Sequence, residues 1–350
     1  MNKNNYKVNF FDIVIGVLSI VLFLFVTTLL VNLGAGKGGN MVEEREVIKE
    51  SSDKYKVTQR EKEEIYIKVY LTKKDVVETI PLEIYLKGVV ASEMPAEFKL
   101  EALKAQTVAA RTYALSHMKQ YKGIPCLKAK EHDADICDST HCQVYISEAE
   151  MKNIWGEDYE RYYKKISEAV KLTEGVVITY NGELIDSPYY FAASSGFTEN
   201  SKEVFSESRP YLTSVQSYGD SDAPKFSSTV KINKMDFIKV IKDNYKGVTL
   251  YKSSLMDQVN IIERTDAGNV KEIIIGDVSL KGTEFRKLFS LNSADFILSE
   301  EGENLIVYCQ GYGHEVGMSQ WGANGMAKIG KKYNEILKHY YIGTDTNKIF

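Results

Sequence analysis

The sequence predicts an α+β fold, because β-branched and aromatic runs alternate with helical patterns without a regular βαβ rhythm. An Asn181-Gly182 dipeptide between two strand-like runs suits the positive φ angles of a type I′ hairpin turn. Composition agrees: 44% hydrophobic and 26% charged residues over 350 positions are ordinary globular values and exclude a disordered chain. The 44 Lys and Arg against 48 Asp and Glu leave a net charge of −4, which argues against nucleic acid, since phosphate binders carry a basic excess.

In chain order, residues 13–36 are 24 consecutive uncharged positions, enough for a helix of roughly 36 Å across a hydrocarbon core of about 30 Å. Lys3 and Lys7 precede this segment, and Glu43, Glu44, Glu46 and Glu50 follow it. That asymmetry predicts a single-pass anchor in the cell membrane with a cytoplasmic N-terminus and an extracytoplasmic body. A cleaved secretory signal is the alternative, but its apolar region is shorter and needs an A-x-A-like site. The expected organisation is a tip and anchor over 1–36, a charged stalk over 37–62 and one mixed domain over 63–350.

Within that domain, residues 65–71 and 76–77 around Thr72-Lys73-Lys74-Asp75 read as a hairpin. Pro81 opens a helix carrying Leu82, Tyr85, Leu86 and Val89 on one side, and Pro95 stops it just after Glu93. Residues 99–120 form the plainest helix, with large apolar residues on one face and Ala102, Ala105 and Ala109 opposite, so it is packed on two sides. Strands are expected over 176–180, 183–191, 258–263, 270–275 and 304–310. Helices are expected over 235–243, 283–288, 319–327 and 334–341.

Two places could carry chemistry. Glu93 sits at a helix end amid Val89, Val90, Met94 and Pro95, where desolvation disfavours the carboxylate and raises its pKa. The bland reading is a solvated surface acid. The second place is His132-x4-Cys137-x3-His141-Cys142, which gathers two of the five histidines and two of the four cysteines. Two nitrogens and two sulfurs match a closed tetrahedral Zn2+ site. A Cys137–Cys142 disulfide competes with it in an exported domain. Cys126 and Cys309 are expected to be a buried or incidental pair.

The run Val89-Val90-Ala91-Ser92-Glu93-Met94-Pro95-Ala96, with Glu101 to Gln106 and Ala109-Ala110-Arg111-Thr112-Tyr113, resembles the stage II sporulation protein D family. So do Phe191-Ala192-Ala193-Ser194-Ser195-Gly196, Pro210-Tyr211-Leu212 and the stretch from Gly311 through His314, Gly317, Gln320 and Trp321 to Ala323. The likeness spans roughly residues 63–345. Glu315 departs from the family's Gly-His-Gly-Val-Gly pattern, where glycine permits φ angles that glutamate does not favour.

The resemblance implies a lytic transglycosylase with a substrate groove. Such an enzyme cleaves the MurNAc–GlcNAc bonds of stem-stripped peptidoglycan strands to 1,6-anhydro ends during spore engulfment, with Glu93 as acid and base. It implies as companions the stage II sporulation proteins P, an amidase, and M. Zinc near the groove in some members favours metal over disulfide. Gln106, Arg111, Tyr190, Ser194, Ser195, His314 and Gln320 lie in the family-like motifs and offer groups to bind sugar, though each could equally be scaffold. The other functional class is a non-catalytic wall-binding activator of an amidase, since relatives with these motifs act that way. A zinc amidase is disfavoured because four protein ligands leave no position for water.

Overall fold

The structure is a computed structural model that describes residues 64–205 and 207–350. The expected anchor and stalk lie outside the described residues. Among the described residues, no helix is long and apolar enough to cross a membrane.

The described chain opens with the hairpin of β1 (Tyr66–Leu71) and β2 (Val76–Pro81), in register from Tyr66↔Pro81 to Leu71↔Val76. Asp75, at φ 57°, closes the turn. Helix α1 (Leu82–Glu93) follows with Pro81 at its N-cap, where the missing N–H costs nothing. It buries Leu82, Tyr85, Leu86, Val89 and Val90, as the spacing predicts.

Helix α2 (Leu100–His117) is the centre of the molecule. Every residue from Ala105 to Leu115 is buried, so it is packed on all sides and not on two alone. Alanines let neighbours approach closely. The buried Thr107 and Thr112 hydroxyls donate to the carbonyls of Leu103 and Val108, both at 2.7 Å. A short α3 (Leu127–Lys130) and β3 (Ile136–Cys137) come next, and β3 adds in parallel to β1.

Helices α4 (Glu148–Trp155) and α5 (Tyr159–Leu172) were not expected from periodicity. Ser147 and Glu150 form a capping box at the start of α4, the local signal that marks it. Strand β4 (Val176–Tyr180) turns through Asn181 and Gly182, at φ 53° and 83°, into β5 (Glu183–Leu184). The single strand expected over 183–191 is corrected here. Buried Pro188 lacks an N–H for a ladder, and the chain leaves the sheet after Ile185, whose N–H makes the last bond to Ile178 O at 3.3 Å. It re-pairs only at β6 (Tyr190–Phe191) in a different sheet.

After α6 (Ser201–Val204) the chain builds a second layered region. One sheet has β7 (Ser227–Asn233) beside β12 (Asn304–Gln310) and β11 (Asp295–Glu301), all antiparallel. The other has β8 (Val259–Arg264), β9 (Val270–Ile275) and β10 (Val278–Lys281). Helices α7 (Lys234–Asn244) and α8 (Gly282–Leu288) belong to this region. Phe237, Ile241, Ile273, Ile275, Phe285 and Phe296 form its own core. The chain then returns through β13 (Met318–Ser319), parallel to β6, into α9 (Gln320–Lys328) and α10 (Tyr333–Tyr340). Strand β14 (Thr344–Lys348) pairs with β4. Helix α2 packs against α1, α5, α9, α10 and β4, so residues more than 200 positions apart share one core. Mixed sheets with helices of no repeating order are the α+β arrangement expected.

Candidate active site and cysteine cluster

Helix α1 stops at Glu93 because Met94 is extended and Pro95 cannot continue the ladder. The Ser92 hydroxyl donates to Val89 O at 2.9 Å and to Val144 O at 2.6 Å, which ties the helix end to residues 143–146. Gly88 permits that contact: a Cβ there would lie 2.4 Å from Ile146 O and from the Tyr145 ring. Val144 N–H then donates to Glu93 Oε1 at 3.2 Å. From the other side Gln320 Nε2, at the start of α9, donates to Glu93 Oε2 at 3.2 Å.

Glu93 is partly exposed as a residue, and burial of its carboxyl pushes the pKa up. The Gln320 and Val144 hydrogen bonds oppose that shift without cancelling it. No second carboxylate contributes. The phenols of Tyr85 and Tyr190 are the titratable groups whose pKa Glu93 raises further, on top of their own burial. The Tyr190 hydroxyl donates to Gln143 Oε1 at 3.0 Å, and Gln143 Nε2 donates to Ala110 O at 3.2 Å. A carboxyl so placed retains a proton to higher pH than a free one and can still give it up.

Of the residues singled out by sequence, Gln320 touches Glu93 and Tyr190 stands beside it. The others are placed differently. Arg111 is wholly buried, and its guanidinium grips Glu83 with two bonds of 2.8 and 2.7 Å and Val176 O with a third of 3.0 Å. It is occupied inside the scaffold and faces no groove. Gln106 is buried, and its amide finds no hydrogen-bond partner among the described residues. Ser194 is buried; its N–H donates to Asp220 Oδ1 at 2.8 Å and its hydroxyl accepts from Gly196 N–H at 3.2 Å. The Ser195 hydroxyl donates to Glu315 at 3.4 Å.

His314 sits among Tyr189, Phe191 and Phe205, with ring centroids 5.6 to 6.0 Å away. Burial and then the nearby Arg286 charge lower it to about 4, and its Nδ1 accepts the Val316 N–H at 3.1 Å. It is a neutral ring that shapes its loop. Glu315 has φ 64°, the left-handed conformation that the glycine of the resembling pattern supplies more readily. Its buried carboxyl accepts from Ser293 at 2.7 Å and Asn269 at 3.4 Å, and desolvation raises it to about 8.

The metal-like cluster is real but its membership differs from the sequence reading. Cys126, Cys137, His141 and Cys142 place one ligand atom each within 4.8 Å of one another. Cys137 and Cys142 sulfurs are 3.4 Å apart, and His141 Nδ1 lies 4.0 and 3.5 Å from them. Around a tetrahedral zinc with bonds of about 2.0–2.3 Å, ligand atoms sit some 3.5 to 3.8 Å apart; Cys137, His141 and Cys142 stand near that spacing, and the full set, at up to 4.8 Å, would draw in to close on an ion. The three thiols contact one another: Cys126, then Cys142, lowers Cys137, while Cys126 raises Cys142.

His132 is not a member. Its ring stacks on Tyr70 with centroids 3.6 Å apart. Cys126 takes the place given to it, because α3 folds back and its N-cap is Cys126, whose sulfur also accepts Ala129 N–H at 3.3 Å. Nor is Cys126 paired with Cys309, which is buried in the second core. Four free cysteines replace the disulfide alternative. Gln143 and Val144 directly follow Cys142, so the strand of chain that holds Glu93 leaves from the cluster. Sequence reasoning missed Cys126, the Val144 amide and Asp220, none of which has a motif of its own.

Comparison with known proteins adds the lineage. A family model described as Stage II sporulation protein matches residues 70–180, which include α1, α2, β3 and the cysteine cluster. Stage II sporulation protein D of Bacillus subtilis is 41% identical over 284 residues, covering 81% of this chain and 79% of that protein. The protein of the same name from Bacillus amyloliquefaciens is 39% identical over 285 residues, with the same coverage. The amidase enhancer of Bacillus subtilis is 32% identical over 309 residues, covering 74% of this chain but 40% of that protein. The chain belongs to the stage II sporulation protein D family, a sporulation family with a cell-wall-related role.

Proposed function

We propose that the protein is a lytic transglycosylase cutting MurNAc–GlcNAc bonds of stem-stripped peptidoglycan strands during engulfment, with Glu93 as its single acid and base. The observation that carries this reading is the setting of Glu93: one carboxyl, raised by burial, held between the Val144 and Gln320 N–H groups with no partner carboxylate. Hydrolysis at an anomeric carbon ordinarily needs two carboxylates. Transfer to an internal hydroxyl can use one. Protonated Glu93 donates to the bridging oxygen as the C1–O bond breaks. The resulting carboxylate takes the proton of the muramic C6 hydroxyl as that oxygen bonds to C1, which closes a 1,6-anhydro ring and restores the acid. The acid form populates below the raised pKa, so turnover falls as pH rises through it.

Residues 13–36 anchor the enzyme in this account, with the N-terminus cytoplasmic and the body on the wall side. Cys126, Cys137, His141 and Cys142 would hold Zn2+, which would supply a structural cross-link behind residues 143–144. Stage II sporulation proteins P and M are the companions the family implies. The test is purified Glu93→Gln on isolated glycan strands: binding persists and anhydro-muropeptide release stops. Release at the wild-type rate would end the assignment.

The likeness to an amidase enhancer favours a second reading, a non-catalytic wall-binding activator. On that reading Glu93→Gln leaves amidase stimulation intact and wild-type protein alone releases nothing.

A further inference from the structure

Asp220 opens a single turn of 3-10 helix and is 3% exposed. Its Oδ1 accepts the Ser194 N–H at 2.8 Å and also the Ser319 hydroxyl. Ser319 is the N-cap of α9, where its hydroxyl oxygen accepts Gly322 N–H at 3.0 Å. The next residue is Gln320, whose amide holds Glu93. One carboxylate therefore joins the loop after β6 to the first turn of the helix that reaches the acid.

The packing leaves little slack. A Cβ at Gly322 would lie 2.1 Å from Tyr340 Oη, 2.2 Å from Ser217 Oγ and 3.1 Å from Asp220 Oδ2. A Cβ at Gly325 would lie 2.1 Å from Tyr218 O, and Gly219, at φ 87°, turns the chain into Asp220. Backbone of α9 thus rests directly on residues 217–220. Asp220 also stands at the positive end of the α9 dipole.

We propose that Asp220 is a positioning residue: by binding Ser319 and Ser194 together it sets the register of α9 and so keeps the Gln320 amide on Glu93. Its bearing on catalysis rests on the role of Glu93 proposed above; the alignment itself does not. The groups facing Glu93 are Tyr85 from α1, Tyr190 from β6, the Val144 amide and Gln320 from α9. Tyr340 of α10 is the titratable group whose pKa the Asp220 charge raises. Losing the Gln320 bond removes a donor that favours the carboxylate, so the Glu93 titration midpoint moves up.

The test follows Glu93 by carbon NMR of glutamate labelled at the side-chain carboxyl in the full chain, the resonance being assigned by its loss in Glu93→Gln. Asp220→Ala, Ser319→Ala and Gln320→Leu each move the midpoint upward. Asp220→Ala with Gln320→Leu moves it no further than either alone. Asp220→Asn keeps an acceptor oxygen for both donors and retains the wild-type midpoint. A merely structural loss would not give this non-additive pattern with conservative rescue. Should Asp220→Ala fail to fold, Asp220→Ser, whose side chain ends one bond short of the Asp220 carboxylate oxygens and which leaves the Ser319 cap in place, reads the same link. A wild-type or lowered midpoint in Asp220→Ala, or in Asp220→Ser when that substitutes for it, overturns the proposal, as does an additive double variant; a lowered one would mean that the Asp220 charge acts directly. The titration needs no substrate. Turnover by Glu93→Gln would sink the enzymatic reading and leave this result standing.

Discussion

Arg111 and Glu83 give a test of scaffold against substrate contact. Replacing Glu83 by Ala leaves the guanidinium in a fully buried site with Val176 O as its remaining hydrogen-bond partner. Removing one member of a buried ion pair costs about 3–5 kcal/mol, because the other charge stays desolvated and uncompensated. The Glu83 side chain is 26% exposed, so water reaches part of the gap and the low end, about 3 kcal/mol, applies. For domains of 150–250 residues each kcal/mol moves the thermal midpoint by about 2–4 °C; the lower figure suits this longer chain and gives a drop of about 6 °C. Urea denaturation read by tryptophan fluorescence measures the loss, and a strand-binding assay runs beside it. Glu83→Leu with Arg111→Met should recover to within about 1 kcal/mol of wild type, since a hydrophobic pair replaces a buried ion pair at little cost. A loss below about 1 kcal/mol in Glu83→Ala, or an Arg111→Met variant of unchanged stability that no longer binds strands, would refute this placement of Arg111.

Further outcomes follow from the same geometry. Gly88→Ala drives a methyl group into Ile146 O and the Tyr145 ring, displaces Val144 from Glu93 and should lower turnover by on the order of a hundredfold, measured on glycan strands. Cys126→Ser should lower zinc retained after purification without chelator, while His132→Ala keeps the wild-type amount; elemental analysis decides between the two cluster memberships. Glu315 has a folded-state pKa raised to about 8, so the stability tied to its proton is complete below its unfolded value and is lost as pH rises through about 8. Glu315→Gln should therefore gain on wild type between about pH 5 and pH 9 in denaturant titrations; a gap that stays constant with pH would contradict the burial of an ionising acid there.

Local rules carried the sequence reading where local chemistry decides the outcome. Pro81, Pro95 and the apolar spacing between them delimit α1, and Asn181-Gly182 makes the turn that its positive φ angles favour. Strands β9 and β12 match their expected bounds because each is built on a β-branched or aromatic stretch, Ile273 to Ile275 in β9 and Ile306 to Tyr308 in β12. The region 183–191 misled because its apolar and aromatic content looks like one strand, whereas Pro188 and the pairing of β6 with β13 split it. The cysteine cluster was half legible. Spacing brought Cys137, His141 and Cys142 together, but nothing local shows that α3 swings Cys126 into reach or that His132 prefers the face of Tyr70. Glu93 stood out by its apolar neighbours. Its two hydrogen-bond donors lie 51 and 227 residues away, and Asp220 reaches partners 26 and 99 residues distant, separations at which a single sequence carries no signal.

In the proposed reaction one carboxyl shuttles a single proton while the muramic sugar attacks itself. Digestion of stem-free glycan strands in water enriched in oxygen-18, followed by mass spectrometry of the new ends, tests it most directly. The wild-type protein should release 1,6-anhydro ends with no heavy oxygen, and Glu93→Gln should release no new ends. New reducing ends carrying oxygen-18 would show that water is the acceptor and contradict it.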